Sequence, residues 1–315
     1  MNTTRGSTQR CYLCVSFILI LSLILAVILV GALVLSPSAV GAQGGFEYGD
    51  APEGAPAYPY SLVTGAFPTC KNVTTAGYIE HTNFGAWFGP TCDFESDGNG
   101  GCCPLFNPNN YDQDECFNDE DAGLIKPEPY TLVGSTVVTA CPGCGGSALG
   151  IVCQQSQWGK DIDIDVHNTM PNHEPYLEAY VNVLVDWNQD GQWGGSSMCL
   201  GGNTTPEHVL VNFRVPALHI GTLSALGPPD FTIGPNQGYV WARFSITEKE
   251  VSENWDGSGV FEDGETEDYL LRIDGELPVG GTAVPVDVFG VLLPWVVIAA
   301  LVAVAIVIVV KIRLT

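Results

Sequence analysis

Between residues 126 and 275, apolar side chains return at every second position in one run after another. Ile162, Ile164 and Val166 alternate with Asp161, Asp163 and Asp165. Val181, Val183 and Val185 are spaced in the same way, as are Val209, Val211, Phe213 and Val215, then Val240, Ala242, Phe244 and Ile246, then Tyr269, Leu271 and Ile273. A period of two belongs to extended strands with one face on a core and one on solvent. Gly, Pro and Asn clusters separate the runs and place turns between them. With Tyr130–Val133, Ser135–Thr139 and Gly150–Cys153 added, about seven or eight strands result, and the expected class is all-β, an antiparallel β-sandwich. Residues 45–125 are rich in Gly, Pro, Asn and Cys without that period. They are expected to form a loop-rich, disulfide-bearing N-terminal part.

The two ends are read separately. Arg5 and Arg10 precede an apolar run from Cys11 to Leu35, which is followed by Ser36-Pro37-Ser38 and the small residues Val40-Gly41-Ala42. That order is an export signal, residues 1–42, with an uncleaved N-terminal anchor as the other reading. Residues 276–287, with Pro278, Gly280, Gly281 and Pro285, read as a stalk. Val288 to Val310 carries no charge, and its 23 residues suffice for a helix across a hydrocarbon core of about 30 Å. Lys311 and Arg313 follow, so positive-inside reasoning makes residues 311–315 a cytoplasmic tail and residues 43–275 an extracellular ectodomain. The expected protein is therefore single-pass in the cell membrane.

All 35 acidic residues lie between 43 and 287, with only seven basic ones, a net charge of −28. Such a surface repels nucleic acid and anionic lipid, keeps an exported chain soluble and attracts divalent cations. Nine cysteines lie in the same region. Outside the cytosol disulfides are the default, and an odd count leaves one thiol free, bonded to another chain or otherwise bound. Cys141-Pro142-Gly143-Cys144 sits in a Gly-rich turn, so a disulfide is expected there and not a redox or zinc motif.

Asp186-Trp187-Asn188-Gln189-Asp190-Gly191-Gln192 is D-x-N-x-D-G directly after a strand. Oxygens at alternate positions fold around a hard cation, and the Gly turns the next carbonyl inward. The position of the bidentate Glu of an EF-hand is Ser197, so a calcium ion here needs remote ligands. Asp186, Asn188 and Asp190 are expected to supply side-chain oxygens and Gln192 its carbonyl. The alternative is an Asx-rich turn satisfied by its own backbone. The acidic turn before the last strand offers Glu265, Glu267 and Asp268, which reach the same ion if the two strands are antiparallel neighbours. A third acidic stretch, residues 93–121, is either a second ion site or a solvated loop.

Asn72-Val73-Thr74 and Asn203-Thr204-Thr205 are glycosylation sequons. Phe84, Trp87 and Phe88 either stack on sugar rings or plug the end of the sandwich. The five histidines fall in no zinc-protease motif, and there is no G-x-S-x-G elbow, so the chain is not expected to be an enzyme.

Phe46-Glu47-Tyr48-Gly49-Asp50-Ala51-Pro52-Glu53, the Asp186 element, Trp241-Ala242-Arg243-Phe244-Ser245 and Gly264-Glu265-Thr266-Glu267-Asp268-Tyr269 occur in the order of the motifs of GEVED-domain surface proteins. Asp119-Glu120-Asp121-Ala122-Gly123 is similar to a further step of that pattern. This resemblance covers residues 46–273 and implies a β-sandwich module on prokaryotic surface proteins, without known catalytic activity. The expected function is a membrane-anchored, structural or adhesive surface module stabilised by Ca2+, with a protein or glycan ligand. A carbohydrate-binding module using Trp87 is the alternative, and a surface hydrolase using a carboxylate pair stands behind it.

Overall fold

The computed structural model describes residues 46–72, 77–92, 94–99, 103, 122–133, 137–140, 146–169 and 178–275. The export signal, the stalk, the apolar segment 288–310 and the Cys141–Cys144 motif lie outside them. No helix of the described residues is long and apolar enough to cross a membrane.

The strands in chain order are β1 (Glu53–Pro56), β2 (Thr64–Ala66), β3 (Ile79–His81), β4 (Ala86–Phe88), β5 (Leu124–Lys126), β6 (Tyr130–Val133) and β7 (Val137–Ala140). Then come β8 (Gly150–Ile151), β9 (Gln155–Ser156), β10 (Asp163–Asn168), β11 (Ala179–Val185), β12 (Ser196–Met198) and β13 (Thr204–Pro206). The last are β14 (His208–Val215), β15 (Ile220–Thr222), β16 (Phe231–Thr232), β17 (Gly238–Thr247), β18 (Gly259–Phe261) and β19 (Gly264–Asp274). Apart from one 3-10 turn, Leu223–Leu226, the described residues contain no helix. The all-β expectation holds, and the period-two runs coincide with β10, β11, β14, β17 and β19.

A five-stranded sheet has the order β14-β11-β17-β19-β8, and a second sheet the order β15-β10-β4, with β5 also on β10. One face of the first sheet carries Val181, Val183, Val185, Phe244, Tyr269 and Leu271 into a core shared with Phe88, Ile164 and Val166 of the second. Phe88 meets Phe244 edge-on, with ring centroids 6.4 Å apart and planes at 82°. This sandwich-like pairing is antiparallel except for two short parallel pairs, β19 with β8 and β18 with β3.

The half-buried reading of the strands needs correction. The opposite face of the first sheet is also covered, by the loop-rich N-terminal part. Ala51, Ala57, Tyr58, Phe67 and Ile79 pack there with Leu184, Trp193, Trp241 and Leu270. Polar residues on that face are therefore buried: Asn182, Arg243, Ser245, Thr266 and Asp268. Each must be satisfied internally, since an unpaired buried polar group costs about 1–3 kcal/mol.

Arg243 and Asp268 are cross-strand partners in the β17–β19 register, and neither is exposed. Arg243 Nε donates to Asp268 Oδ1 at 2.8 Å and Nη2 to Oδ2 at 2.5 Å. Nη1 donates to the carbonyls of Pro68 and Gly257, and the guanidinium lies 4.3 Å from the Trp193 ring centroid. Asp268 Oδ2 also accepts from the backbone N–H groups of Asp50 and Ala51, at 2.9 and 2.8 Å. A Cβ at Gly49 would collide with the guanidinium, so only glycine lets the chain pass there.

Two disulfides of the described residues fasten this frame. Cys70–Cys103 closes 33 residues and Cys153–Cys199 closes 46. On the loop-entropy account each contributes about 4 kcal/mol. Cys92 is the free cysteine among the described residues.

Replacing Arg243 by Met leaves Asp268 buried without its counter-charge and is expected to cost about 3–5 kcal/mol in guanidinium unfolding followed by Trp fluorescence. The double replacement Arg243→Met with Asp268→Leu is expected to recover part of the loss. A single-variant loss below about 1 kcal/mol, the size of a surface pair, would contradict the assigned role.

Candidate functional site

β11 ends at Val185, and the Asp186 N–H makes the next bond, to the Trp241 carbonyl at 3.0 Å. Asp186 is fully buried. Its Oδ2 accepts from the Tyr58 hydroxyl at 2.6 Å and the Gly191 N–H at 2.8 Å, and Oδ1 accepts from the Asp190 N–H at 3.1 Å. Asn188 Oδ1 accepts from the same N–H at 2.8 Å. Asp190 Oδ1 accepts from the Gln192 N–H at 3.0 Å and Oδ2 from Asn188 Nδ2 at 2.9 Å. The loop thus winds around its own side-chain oxygens. Gly191 has φ +84°, and a Cβ there would meet the Thr64 carbonyl, which explains the glycine.

A second buried carboxylate closes on this loop from the turn after β13. Glu207 accepts from the Gly194 N–H at 2.9 Å and the Asn188 N–H at 3.4 Å. Burial pushes the Asp186 carboxyl up to about 6, against the opposing hydrogen bond from Tyr58. Burial, and then the nearby Asp186 charge, push Glu207 up to about 8. Among the described residues, no basic side chain forms an ion pair with either. Asp186, Asn188, Asp190 and Glu207 therefore offer oxygens only, the donor set of a hard cation. Among the described residues no group of three or more His, Cys, Asp or Glu stands ready to hold a metal, so an ion here would draw on Asn188 and backbone carbonyls as well.

The remote acids expected for this loop lie elsewhere. β11 and β19 both run antiparallel to β17 and hence parallel to each other. The loop after β11 and the turn before β19 are therefore at opposite ends of the sheet. Val185 is level with Ala242 and Tyr269, whereas Glu265 is level with Ile246 and Val181, four residues back. At strand rise that is about 13 Å along the sheet. The two faces separate the acids further: Glu265 and Glu267 stand on the face toward the second sheet, and Asp268 on the other, with Arg243.

Glu265 belongs to a buried cluster with Glu47, His81 and Cys92. It accepts from the Phe88 N–H, and the Cys92 thiol bonds to it. Glu47 Oε2 accepts from the Thr266 N–H at 2.9 Å and lies 3.7 Å from His81 Nε2. Burial, then the Glu265 and Glu95 charges, hold the Glu47 carboxyl well above its ordinary value. Burial pushes the His81 imidazole down to about 3. Burial, then Glu265 and Glu47, hold the Cys92 thiol protonated. Burial thus disfavours the charged form of both Glu47 and His81.

Other sequence candidates divide between sites and packing. Phe88 is a core residue and Phe84 packs edge-on against Phe94 at 4.0 Å. Trp87 is half-buried, stacked on His167 at 4.9 Å. In the acidic stretch 93–121, Asp97 caps backbone, accepting from the Lys71 and Gly98 N–H groups. Asp93 and residues 104–121 lie outside the described residues. Sequence reasoning missed Glu207 and Tyr58, because neither has a fixed spacing to Asp186. It also missed the pairing of Arg243, although a lone cation in an apolar strand signals a buried partner.

The family model of the GEVED domain matches residues 180–272, from β11 to β19. No curated protein and no solved structure matches the chain.

Because Glu47 binds its proton more tightly in the folded chain than at its ordinary value of 4.5, its contribution to stability is complete below that value. It is lost as the pH climbs through the raised one. The melting temperature of the full chain in detergent is expected to fall as the pH rises above that ordinary value of 4.5, and Glu47→Gln to flatten part of that fall. An unchanged slope would show that Glu47 does not titrate in this window.

Proposed function

We propose that this chain, which carries a GEVED domain, is a membrane-anchored module of the cell surface with a structural or adhesive role. Calcium stiffens the loops at one end of its sandwich. The domain match supports a surface-associated module. The disulfides Cys70–Cys103 and Cys153–Cys199 accord with an oxidising exterior, and the apolar segment 288–310 supplies the anchor.

The observation that carries the calcium reading is the juxtaposition of Asp186 and Glu207. Asp186 opens the D-x-N-x-D-G loop and Glu207 closes on it from the turn after β13, both are buried, and among the described residues neither has an ion pair. A divalent cation supplies the missing positive charge and displaces the protons that burial favours. Asp186, Asn188, Asp190 and Glu207 would hold it, with Gln192 adding its carbonyl. Glu265, Glu267 and Asp268 have no part in it.

A second reading rests on Trp87. Its indole is half-buried and stacked on His167, and the part of the ring left exposed would pack on a sugar face. A glycan array probed with wild-type chain and with Trp87→Ala separates this reading from the first.

Calcium at 100 times its dissociation constant stabilises a folded chain by about 2.7 kcal/mol. In a domain of this size the melting temperature is then expected to rise by about 5–10 °C over the value in chelator. Asp190→Asn is expected to remove most of that increment while changing the value in chelator little. Equal melting temperatures with calcium and with chelator in the wild type would sink the calcium reading.

A further inference from the structure

The four most exposed large apolar side chains of the described residues are Leu62, Leu200, Tyr60 and Met198, at 102, 99, 84 and 69 %. They occupy two tips. Tyr60 and Leu62 lie in the connection between β1 and β2, and Met198 and Leu200 flank Cys199 in the β12–β13 hairpin. Leu218 and Ile220, at 65 and 67 %, form a comparable pair around the start of β15, so what distinguishes the two tips is their place in the fold. Tyr60 also adopts φ +57°, a backbone strain of about 1 kcal/mol or more for a side chain with a Cβ.

Both tips are fastened beside the point where the described chain leaves the fold. The first shares a cavity of about 360 Å³ with Gln237, Gly238 and Tyr239. Gly238 and Tyr239 pair with Ile273 and Arg272, the last turn of β19, and Gly275 lies against the Gln237 side chain. The second tip is held by Cys153–Cys199, and Val152, next to Cys153, donates to the Asp274 carbonyl at 3.0 Å. From Gly275 only twelve residues, 276–287, precede the uncharged segment 288–310. Fully extended, twelve residues reach about 40 Å, so this end of the sandwich stays within one domain diameter of that segment.

We propose that this end docks on the lipid surface, with Tyr60, Leu62, Met198 and Leu200 seated among the headgroups. The proposal rests on the reading of residues 288–310 as a membrane anchor. Tyr suits the headgroup level, and Leu and Met the acyl boundary beneath it. The ectodomain charge of −28 selects against anionic lipid, so the partner surface is zwitterionic. Docking at two tips fixes the tilt of the sandwich and directs its other end outward.

The test uses the full chain reconstituted in phosphatidylcholine vesicles that carry a diazirine on the acyl chain. Photolabelled peptides are mapped by mass spectrometry. Label is expected in residues 288–310 and in both tips, and the tip label is expected to fall about tenfold in Leu62→Asp and Leu200→Asp. Both side chains are exposed, so unchanged melting temperatures certify the fold of the variants. Label confined to 288–310 overturns the docking and leaves the anchor standing. Label in neither overturns the anchor and the docking together. Tips cross-linked to a second copy of the chain, without lipid label, overturn the docking in favour of self-association.

Discussion

Arg243 is a cation held out of water in the middle of a sheet, and the fold is arranged around what that requires. A buried guanidinium is tolerated only when its donors are met and its charge is balanced. Asp268 balances it from the neighbouring strand, and the carbonyls of Pro68 and Gly257 and the Thr69 hydroxyl take the remaining donors. The carboxylate that answers Arg243 also takes the backbone N–H groups of Asp50 and Ala51, which draws the N-terminal segment onto the sheet. One charge pair thereby joins residues about 50, 243 and 268 along the chain into a single structural knot. The sequence elements that resemble the family pattern near Gly49, Arg243 and Asp268 meet at this knot.

The strands were legible because their signal is local. Alternation in Val181–Val185 or Val240–Ile246 needs only neighbouring residues to be read. What that alternation does not encode is whether the second face is wet. Asn182, Ser245 and Thr266 look like solvent-facing positions, yet the N-terminal part lies over them, and its own sequence has no period to announce that it packs there. The loop at Asp186 was legible for the same local reason. Its expected acidic partners were misplaced because their position depends on strand order. Inserting β17 between β11 and β19 makes those strands parallel, and the ends that looked adjacent are then opposite. Glu207 was invisible for the converse reason: the fold brings it to Asp186, and no spacing does.

Two buried polar centres solve the same problem differently. Around Glu47 and His81, burial disfavours the charged form of both side chains. Around Asp186 and Glu207, backbone N–H groups and the Tyr58 hydroxyl hold the carboxyl oxygens in place and resist neutralisation of Asp186. The first centre lowers the cost of burial by losing charge, whereas the second lowers it by hydrogen bonds to carboxyl oxygens.

β17 and β19 are paired over ten consecutive residues, from Gly238 with Ile273 to Thr247 with Gly264. β19 is the strand that leads to Gly275, and a pull applied at that point along the strand axis would load this pair. The cross-strand hydrogen bonds lie perpendicular to that axis, so they share the load in shear and must yield together. A hairpin pulled across its strands opens one bond at a time. The geometry of this single pair makes the central sheet a tension-bearing element, in which resistance to rupture comes from simultaneity and not from the strength of any one bond.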